Sequence, residues 1–510
     1  MPAVSIEYET LPQLLRYQVA RRADTTFIIW KDQEYTYGRF DALTDALAGA
    51  FYELGIRRGD VVSIYLPNCP QFILAWFALS KIGAVMGPIN ALFKGEEVAY
   101  ILDNSEAKGI IATSPLSDVI DAVAGQCPNL KHKIFVGAEV PPGWLSFEEL
   151  VRSGAALPSV EVSREDVASI IYTSGTTGRP KGVLLTHWNY ITDTAMGAEV
   201  VPLNPGDRII MILPLFHVNA QVATTTVPMM IGATVVLLDH FNPANFWAAV
   251  AKYRPVTFSA VPTILQILLN APGADTADLS SLRYVICGAA PLPVELFHQF
   301  EAKFNLHIME GYGLTEGTCV SSINPYYGVR KIGSIGLPLR GQEMAIMDDA
   351  GNLLPDGEYG EIVIRGPNVM KGYYKNPEAT KETIMPDGWL RTGDIGYRDG
   401  DGYFWIVDRK KEMIIRGGEN IYPREIEEVL HRHPAVAEAA VIGVPSEKYG
   451  EEVKAMIVLK PGATATAEEI VSFCRERLAD FKVPRYVEFV SSFPKTPTGK
   501  IQKKLLKAQQ

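Results

Sequence analysis

"YTSGTTGRPK", Tyr172 to Lys181, follows the apolar run "VASII" (Val167 to Ile171) and packs three threonines, a serine, two glycines, an arginine and a lysine into one short stretch. Glycines let backbone N–H groups come close to a phosphate, hydroxyls add donors, and a lysine adds charge. The apolar run ahead of it reads as a buried strand. Taken alone, the stretch fits either a phosphate-holding loop or a polar turn between two core elements. The NTPase template G-x-x-x-x-G-K-[ST] is not met, because Pro180 precedes Lys181 and Gly182 follows it.

Outward from this stretch the chain alternates helical and strand patterns. From Thr36, apolar Phe40, Leu43, Leu47, Phe51 and Leu54 recur at spacings of three and four, and Gly55 follows as a C-terminal cap. Short β-branched runs then interleave with helical segments: "DVVSIYLP", "AVMGPIN", "KGIIATS", "HKIFVGA", and later "DRIIMILP", "GATVVLLD", "PVTFSAVP" and "LRYVICGAA". Such alternation predicts an α/β fold of mostly parallel sheets covered by helices. After about Lys331 the texture changes to Gly-containing turns and short alternating strands, which predicts a small antiparallel sheet or barrel over 331–407. A charged segment, "DRKKEMIIRGGENIYPREIEEVL", leads into about 100 residues that read as a separate small α+β domain. The expected division is 1–407, a hinge at 408–411, and a mobile C-terminal domain over 412–510.

Bulk properties narrow the function classes. A chain of 510 residues exceeds one hydrophobic core. Its formal net charge of −10 argues against general nucleic-acid affinity. The five cysteines are scattered and never paired as C-x-x-C, and the eight histidines lack ligand spacing, so neither a disulfide framework nor a zinc site is expected. The N-terminal "MPAVSIEYET" does not read as a signal peptide, and Lys81 cuts the apolar "FILAWFALS" well short of the ~20 residues of a spanning helix. The reading is a cytoplasmic protein without an integral membrane segment. A homodimer and peripheral attachment to a membrane surface are left open.

"YTSGTTGRPKGV" resembles the signature of the adenylate-forming superfamily: acyl-CoA synthetases, peptide-synthetase adenylation domains and beetle luciferases. Four further motifs follow in order. "GYGLTE" (Gly311 to Glu316) resembles the family's adenine-and-metal motif, and "RTGDIG" (Arg391 to Gly396) its ribose motif. "DRKKEMIIRGGENIYPREIE" resembles its hinge, and "PKTPTGKI" (Pro494 to Ile501) its C-terminal catalytic lysine motif.

The resemblance implies that ATP is held by Thr173, Ser174, Gly175, Thr176, Thr177, Gly178 and Lys181 at its phosphates, with Gly288, Ala289, Ala290, Gly311, Tyr312 and Thr315 around the nucleotide. It implies Asp394 and Arg409 at the ribose and Glu316 as the Mg2+ ligand, which suits a hard cation that takes oxygen donors. Lys500 is the implied catalytic lysine. A carboxylate attacking phosphorus is anion meeting anion, so a cation touching both lowers the barrier. Thr315 and His217 complete the implied catalytic set. Competing structural readings remain for several of these, including a core aromatic at Tyr312, an Asp394–Arg409 ion pair and a satisfied core histidine at His217.

By the same resemblance, Lys411 is the pivot, and Gly417 and Gly418 with His217 border the CoA tunnel. His217, Val218, Asn219, Gln221, Val261 and Gly313 wall the acyl pocket. Short-acid relatives carry tryptophan near Gly313, so glycine there is expected to leave room for a medium or longer acyl chain or an aryl acid. "FHVNAQ" also resembles carnitine/crotonobetaine CoA ligases. The expected activity is ATP-dependent acid–CoA ligation, acting on a small-molecule carboxylic acid and using CoA as co-substrate. Loading of a separate carrier protein is the enzymatic alternative, and a non-enzymatic nucleotide-binding protein the alternative of another class.

Overall fold

The computed structural model describes residues 6–173, 179–417, 419–446, 448–496 and 500–508. All eight of the buried runs named above form strands. They divide between two large mixed sheets. One holds nine strands, from Leu337–Pro338 and Ser322–Ile323 at one edge, through His307–Tyr312, Tyr284–Cys287, Thr257–Ala260, Arg208–Met211, Thr234–Leu237 and Thr26–Trp30, to Gln33–Thr36. Its interior pairs are parallel and its edge pairs antiparallel.

The other large sheet has eight strands and is parallel from Val167–Thr173 through Val85–Pro88 and Val61–Tyr65 to its far edge. The two strands that flank the phosphate-loop candidate lie at this sheet's other end. Val167–Thr173 turns back antiparallel onto Lys181–Thr186, with Thr173 opposite Lys181 and Tyr172 opposite Gly182. The flanking segments are therefore two antiparallel strands, whereas an NTPase phosphate loop leads from a strand into a helix.

Local signals explain the helices. Tyr37–Glu53 starts where the Thr36 side chain accepts from the Arg39 N–H, and it ends before Gly55, whose φ of +83° suits glycine. Pro70–Lys81 is buried along its whole length. Lys81 at its end is tolerated because its ammonium reaches Asp41 at 2.5 Å and also Asp45. Among the described residues no helix is long and apolar enough to cross a membrane.

Past Lys331, the expected antiparallel unit is a four-stranded sheet of Glu343–Met347, Gly360–Arg365, Leu390–Arg398 and Phe404–Arg409. A small C-terminal domain follows. Its sheet pairs Val436–Ser446 with Gly450–Leu459, which also carries Tyr486–Phe489 and meets the hairpin of Ile414–Arg416 and Glu419–Ile421. Helices Pro423–His431 and Ala467–Arg475 bury Ile426, Leu430, Ile470 and Cys474 against it. The protein is thus an α/β fold with a large N-terminal and a small C-terminal domain.

Candidate active site

Four of the motifs converge where strand ends from different sheets meet. The His307–Tyr312 strand delivers Tyr312, whose hydroxyl donates to Asp394 Oδ2 at 2.6 Å. Asp394 stands opposite Arg409 in the register of neighbouring strands, and Arg409 Nε lies 3.4 Å from Asp394 Oδ1. Burial, reinforced by the Asp394 charge, holds the Tyr312 phenol well above its ordinary pKa, so it remains a donor. Beside them Gly288 must lack a side chain, since a Cβ would stand 2.8 Å from the Gly311 carbonyl oxygen. Ala289 next to it has φ +68°, an unusual conformation for alanine that marks this turn as built for more than connection.

Glu316 lies in the short turn Thr315–Gly317, where Oε1 accepts a hydrogen bond from the Tyr373 hydroxyl at 2.9 Å. The Lys181 ammonium stands 4.9 Å from the centre of the same Tyr373 ring. One tyrosine therefore joins the base of the phosphate hairpin to the expected metal ligand. Tyr100 braces the hairpin from the other side by donating to the Pro180 carbonyl at 3.0 Å. Ser174, Gly175, Thr176, Thr177 and Gly178 lie outside the described residues, as does Gly418.

Lys500 comes from the far end of the chain. Its N–H donates to Thr496 Oγ1 at 3.1 Å, and its carbonyl accepts from the Thr496 N–H at 2.8 Å. Burial, with the charges of Arg409 and Lys411 and against those of Asp394 and Glu412, brings the Lys500 ammonium down to about 8. Burial, joined by the Lys500 charge, also holds His217 down to about 4, so the imidazole is neutral at pH 7. Lys500 thus feels the charges of Asp394 and Arg409, and His217 feels that of Lys500, although these residues lie far apart in sequence.

The acyl-pocket expectations need two corrections. Gly313 does not open space, because a Cβ there would fall 1.5 Å from the Cys319 carbonyl oxygen. That carbonyl is set by a tight turn at Thr318, with φ +70° and ψ −64° and a hydrogen bond from Cys319 N–H to Gly317 carbonyl. Gln221 is fully buried and committed at both ends, accepting from the Tyr190 hydroxyl at 2.5 Å and donating to the Leu215 carbonyl at 2.8 Å. Its fully buried amide is held in the core and does not line an open pocket.

Val218 and Val261 are buried apolar residues, and Asn219 Oδ1 accepts from the Ser259 hydroxyl at 2.9 Å. His217 caps the helix Val218–Gln221, which widens into π-helical turns over Val222–Thr226, a local irregularity often found at functional sites. Lys411 is exposed between the two domains, and Gly417 sits in the exposed turn after Ile414–Arg416, with φ +62°.

Some contributors escape a sequence reading. Glu361, almost fully buried, accepts from the Gly393 N–H at 2.9 Å and from Arg391 at 3.1 Å, and so shapes the "RTGD" turn. Its only advance signal is an acid at the edge of the apolar run "IVI". Tyr373 carries no signal in spacing at all.

Comparison with known proteins agrees with this architecture. A family model described as "AMP-binding enzyme" matches residues 15–374, and "AMP-binding enzyme C-terminal domain" matches residues 425–500. The chain is 37% identical to a long-chain-fatty-acid–CoA ligase of Bacillus subtilis (strain 168), covering 98% of this chain and 94% of that protein. It is also 37% identical to a crotonobetaine/carnitine–CoA ligase of Salmonella paratyphi A, covering 93% of each. The crystal structure of the anthranilate CoA ligase AuaEII in complex with anthranoyl-AMP superposes with a TM-score of 0.93 at 31% identity, over 100% of this chain and 99% of that one. The chain belongs to the AMP-binding enzyme family, in the acyl-CoA synthetase branch of the adenylate-forming superfamily.

Proposed function

We propose that this enzyme is an ATP-dependent acid–CoA ligase in which Lys500 drives the first of two steps, with a medium- or long-chain fatty acid or an aryl acid as substrate. In the first step a carboxylate oxygen bonds to the α-phosphorus of ATP and the bond to the β-phosphate oxygen breaks, giving acyl-AMP and pyrophosphate. In the second, the CoA sulfur bonds to the acyl carbon, AMP leaves, and the thiol proton passes to solvent or a neighbouring base.

The observation that carries this reading is the Tyr312–Asp394–Arg409 set, with Lys500 buried within reach of its charges. Asp394 accepts from the ribose hydroxyls, Arg409 supports that carboxylate, and Tyr312 packs on the adenine. The hairpin at Thr173 and Lys181 holds the β- and γ-phosphates. Lys500 then contacts the incoming carboxylate and the α-phosphate together, neutralising charge as it builds. His217 contributes a neutral imidazole at the acyl end, so it adds no charge that would compete with Lys500.

Glu316 fits Mg2+ that arrives with ATP: it is an oxygen donor on a short turn, steadied through one oxygen by Tyr373. When bound, Mg2+ supplies further neutralisation on the phosphate oxygens. Thr315 shapes the turn by accepting from the Thr318 N–H at 3.0 Å.

In the same reading residues 1–407 and 412–510 move as two bodies about 408–411, with Lys411 as pivot and Gly417 and Gly418 turning toward the CoA path. The apolar Val218 and Val261 support an acyl or aryl substrate. The equal identity to a crotonobetaine/carnitine ligase supports a zwitterionic acid as the second reading. A cytoplasmic location belongs to the same reading. Pyrophosphate release from ATP with octanoate, palmitate, benzoate or crotonobetaine, followed by mass detection of the thioester with CoA, tests it. No acid-dependent pyrophosphate release with any of them would defeat the substrate reading.

A further inference from the structure

Lys503 opens the helix Lys503–Ala508, one short step beyond Lys500. Its ammonium lies 2.8 Å from Glu427 Oε1 and 3.4 Å from Glu412 Oε2, with the side chain 14% exposed. Glu427 belongs to the helix Pro423–His431, and its Oε1 also accepts from the Val441 N–H at 2.7 Å. Glu412 directly follows the expected pivot Lys411, and its own N–H donates to the Arg409 carbonyl at 2.9 Å. Buried Asp408 faces the same cation, while its two oxygens accept from the Arg409 and Arg424 N–H groups at 2.7 and 3.0 Å. Burial alone would weaken the Lys503 charge, but Glu427, Asp408 and Glu412 together hold it above the ordinary lysine range. One cation thus pairs a carboxylate of the joining segment with one of the helix that follows it.

Attachment of the helix does not require this cluster. Leu506 already packs into the apolar group of Ala440, Ile442, Val444, Met456 and Phe493. What the cluster sets is the direction of the helix start, and the Lys500 turn is tied directly to that start. Gln502 N–H donates to the Pro494 carbonyl at 2.8 Å, and Gln502 Nε2 donates to the Lys495 carbonyl at 2.9 Å. Lys495 is in turn held by Glu438 at 2.7 Å.

We propose that Lys503 is a positioning residue that couples the joining segment 408–412 to the Lys500 turn, so that the setting of that segment decides whether Lys500 reaches the nucleotide. This rests on the assignment of Lys500 to the adenylation step. Glu427 belongs with Lys503 in the C-terminal domain, whereas Glu412 directly follows the pivot. The 3.4 Å contact with Glu412 is the one that ties Lys503 to the joining segment.

The test separates the half-reactions in purified full-length enzyme, with octanoate and ATP for pyrophosphate release and with octanoyl-AMP and CoA for thioester formation. Lys503→Met is expected to lower kcat for pyrophosphate release about tenfold or more, with KM for ATP and the thioester step each changed less than about twofold, since a buried cation that loses its site loses geometry. Lys503→Arg should restore most of the lost rate. An equal fall in both half-reactions, or no fall in either, overturns the proposal. Should Lys503→Met fail to fold, Glu412→Gln keeps the Glu427 pair and is expected to show the same one-sided loss, reduced in size; a two-sided loss or none overturns the proposal equally. Lys500→Ala run alongside keeps the two claims apart: if it retains pyrophosphate release, the Lys500 assignment falls; if it is inactive while Lys503→Met is fully active, only the Lys503 proposal falls.

Discussion

Tyr312 and Asp394 share a 2.6 Å hydrogen bond that joins the end of the nine-stranded sheet to the four-stranded one. The carboxylate is oriented before any nucleotide arrives. Tyr312→Phe should raise KM for ATP about three- to tenfold, the worth of one such bond. Asp394→Asn should raise it further and erase discrimination between ATP and 2′-deoxy-ATP. Steady-state kinetics with both nucleotides checks this, and undiminished discrimination in Asp394→Asn would remove the ribose assignment.

Removal of the Lys500 ammonium should divide the reaction in two. Lys500→Ala is expected to slow acyl-AMP formation by roughly a hundredfold or more, while supplied acyl-AMP is still converted to thioester. Pyrophosphate release and thioester formation, each followed separately, decide the matter.

The depressed Lys500 pKa gives that step a pH signature. The charged form is required and dominates below about 8, so kcat/KM for pyrophosphate release should fall as pH rises through about 8. Lys500→Arg should carry the alkaline limb out of range, because guanidinium stays protonated there. His217, neutral above about 4, should add no limb between pH 5 and 7.

Restriction of the joining segment should have the opposite effect to loss of the lysine. Lys411→Pro fixes a backbone angle at the expected pivot, so adenylation should persist while thioester formation stops. Survival of both steps would show that the chain turns elsewhere.

Gly313 has to be tested differently from what its sequence context suggests. Since a Cβ meets the Cys319 carbonyl, Gly313→Ala should cost about 1–3 kcal/mol or more in stability, the usual penalty of overpacking. Calorimetry reads the loss directly. A Gly313→Trp enzyme with an unchanged melting temperature and a profile shifted to short acids would restore the open-space reading.

The family was legible because its motifs are short, fixed strings spread in order along the chain. The buried strands were legible from their β-branched runs, and Thr36 and Gly55 bracket their helix as capping chemistry requires. The hairpin return at Lys181 was less visible, since an apolar run alone does not tell a parallel strand from an antiparallel one. Gly313 misled because absence of a side chain says nothing about what fills the gap; here a carbonyl from Cys319, next in a strained turn, does so. Tyr373, Glu361 and Lys503 act through partners distant in sequence, and no local pattern encodes such pairings.

The residues on either side of Lys500 are tied by hydrogen bonds, Thr496 to Lys500 and Gln502 to Pro494 and Lys495, all within the C-terminal domain. The loss of conformational freedom that these ties require is incurred at folding. In the proposed reaction the lysine arrives with those ties already made, and only its delivery is left to be timed.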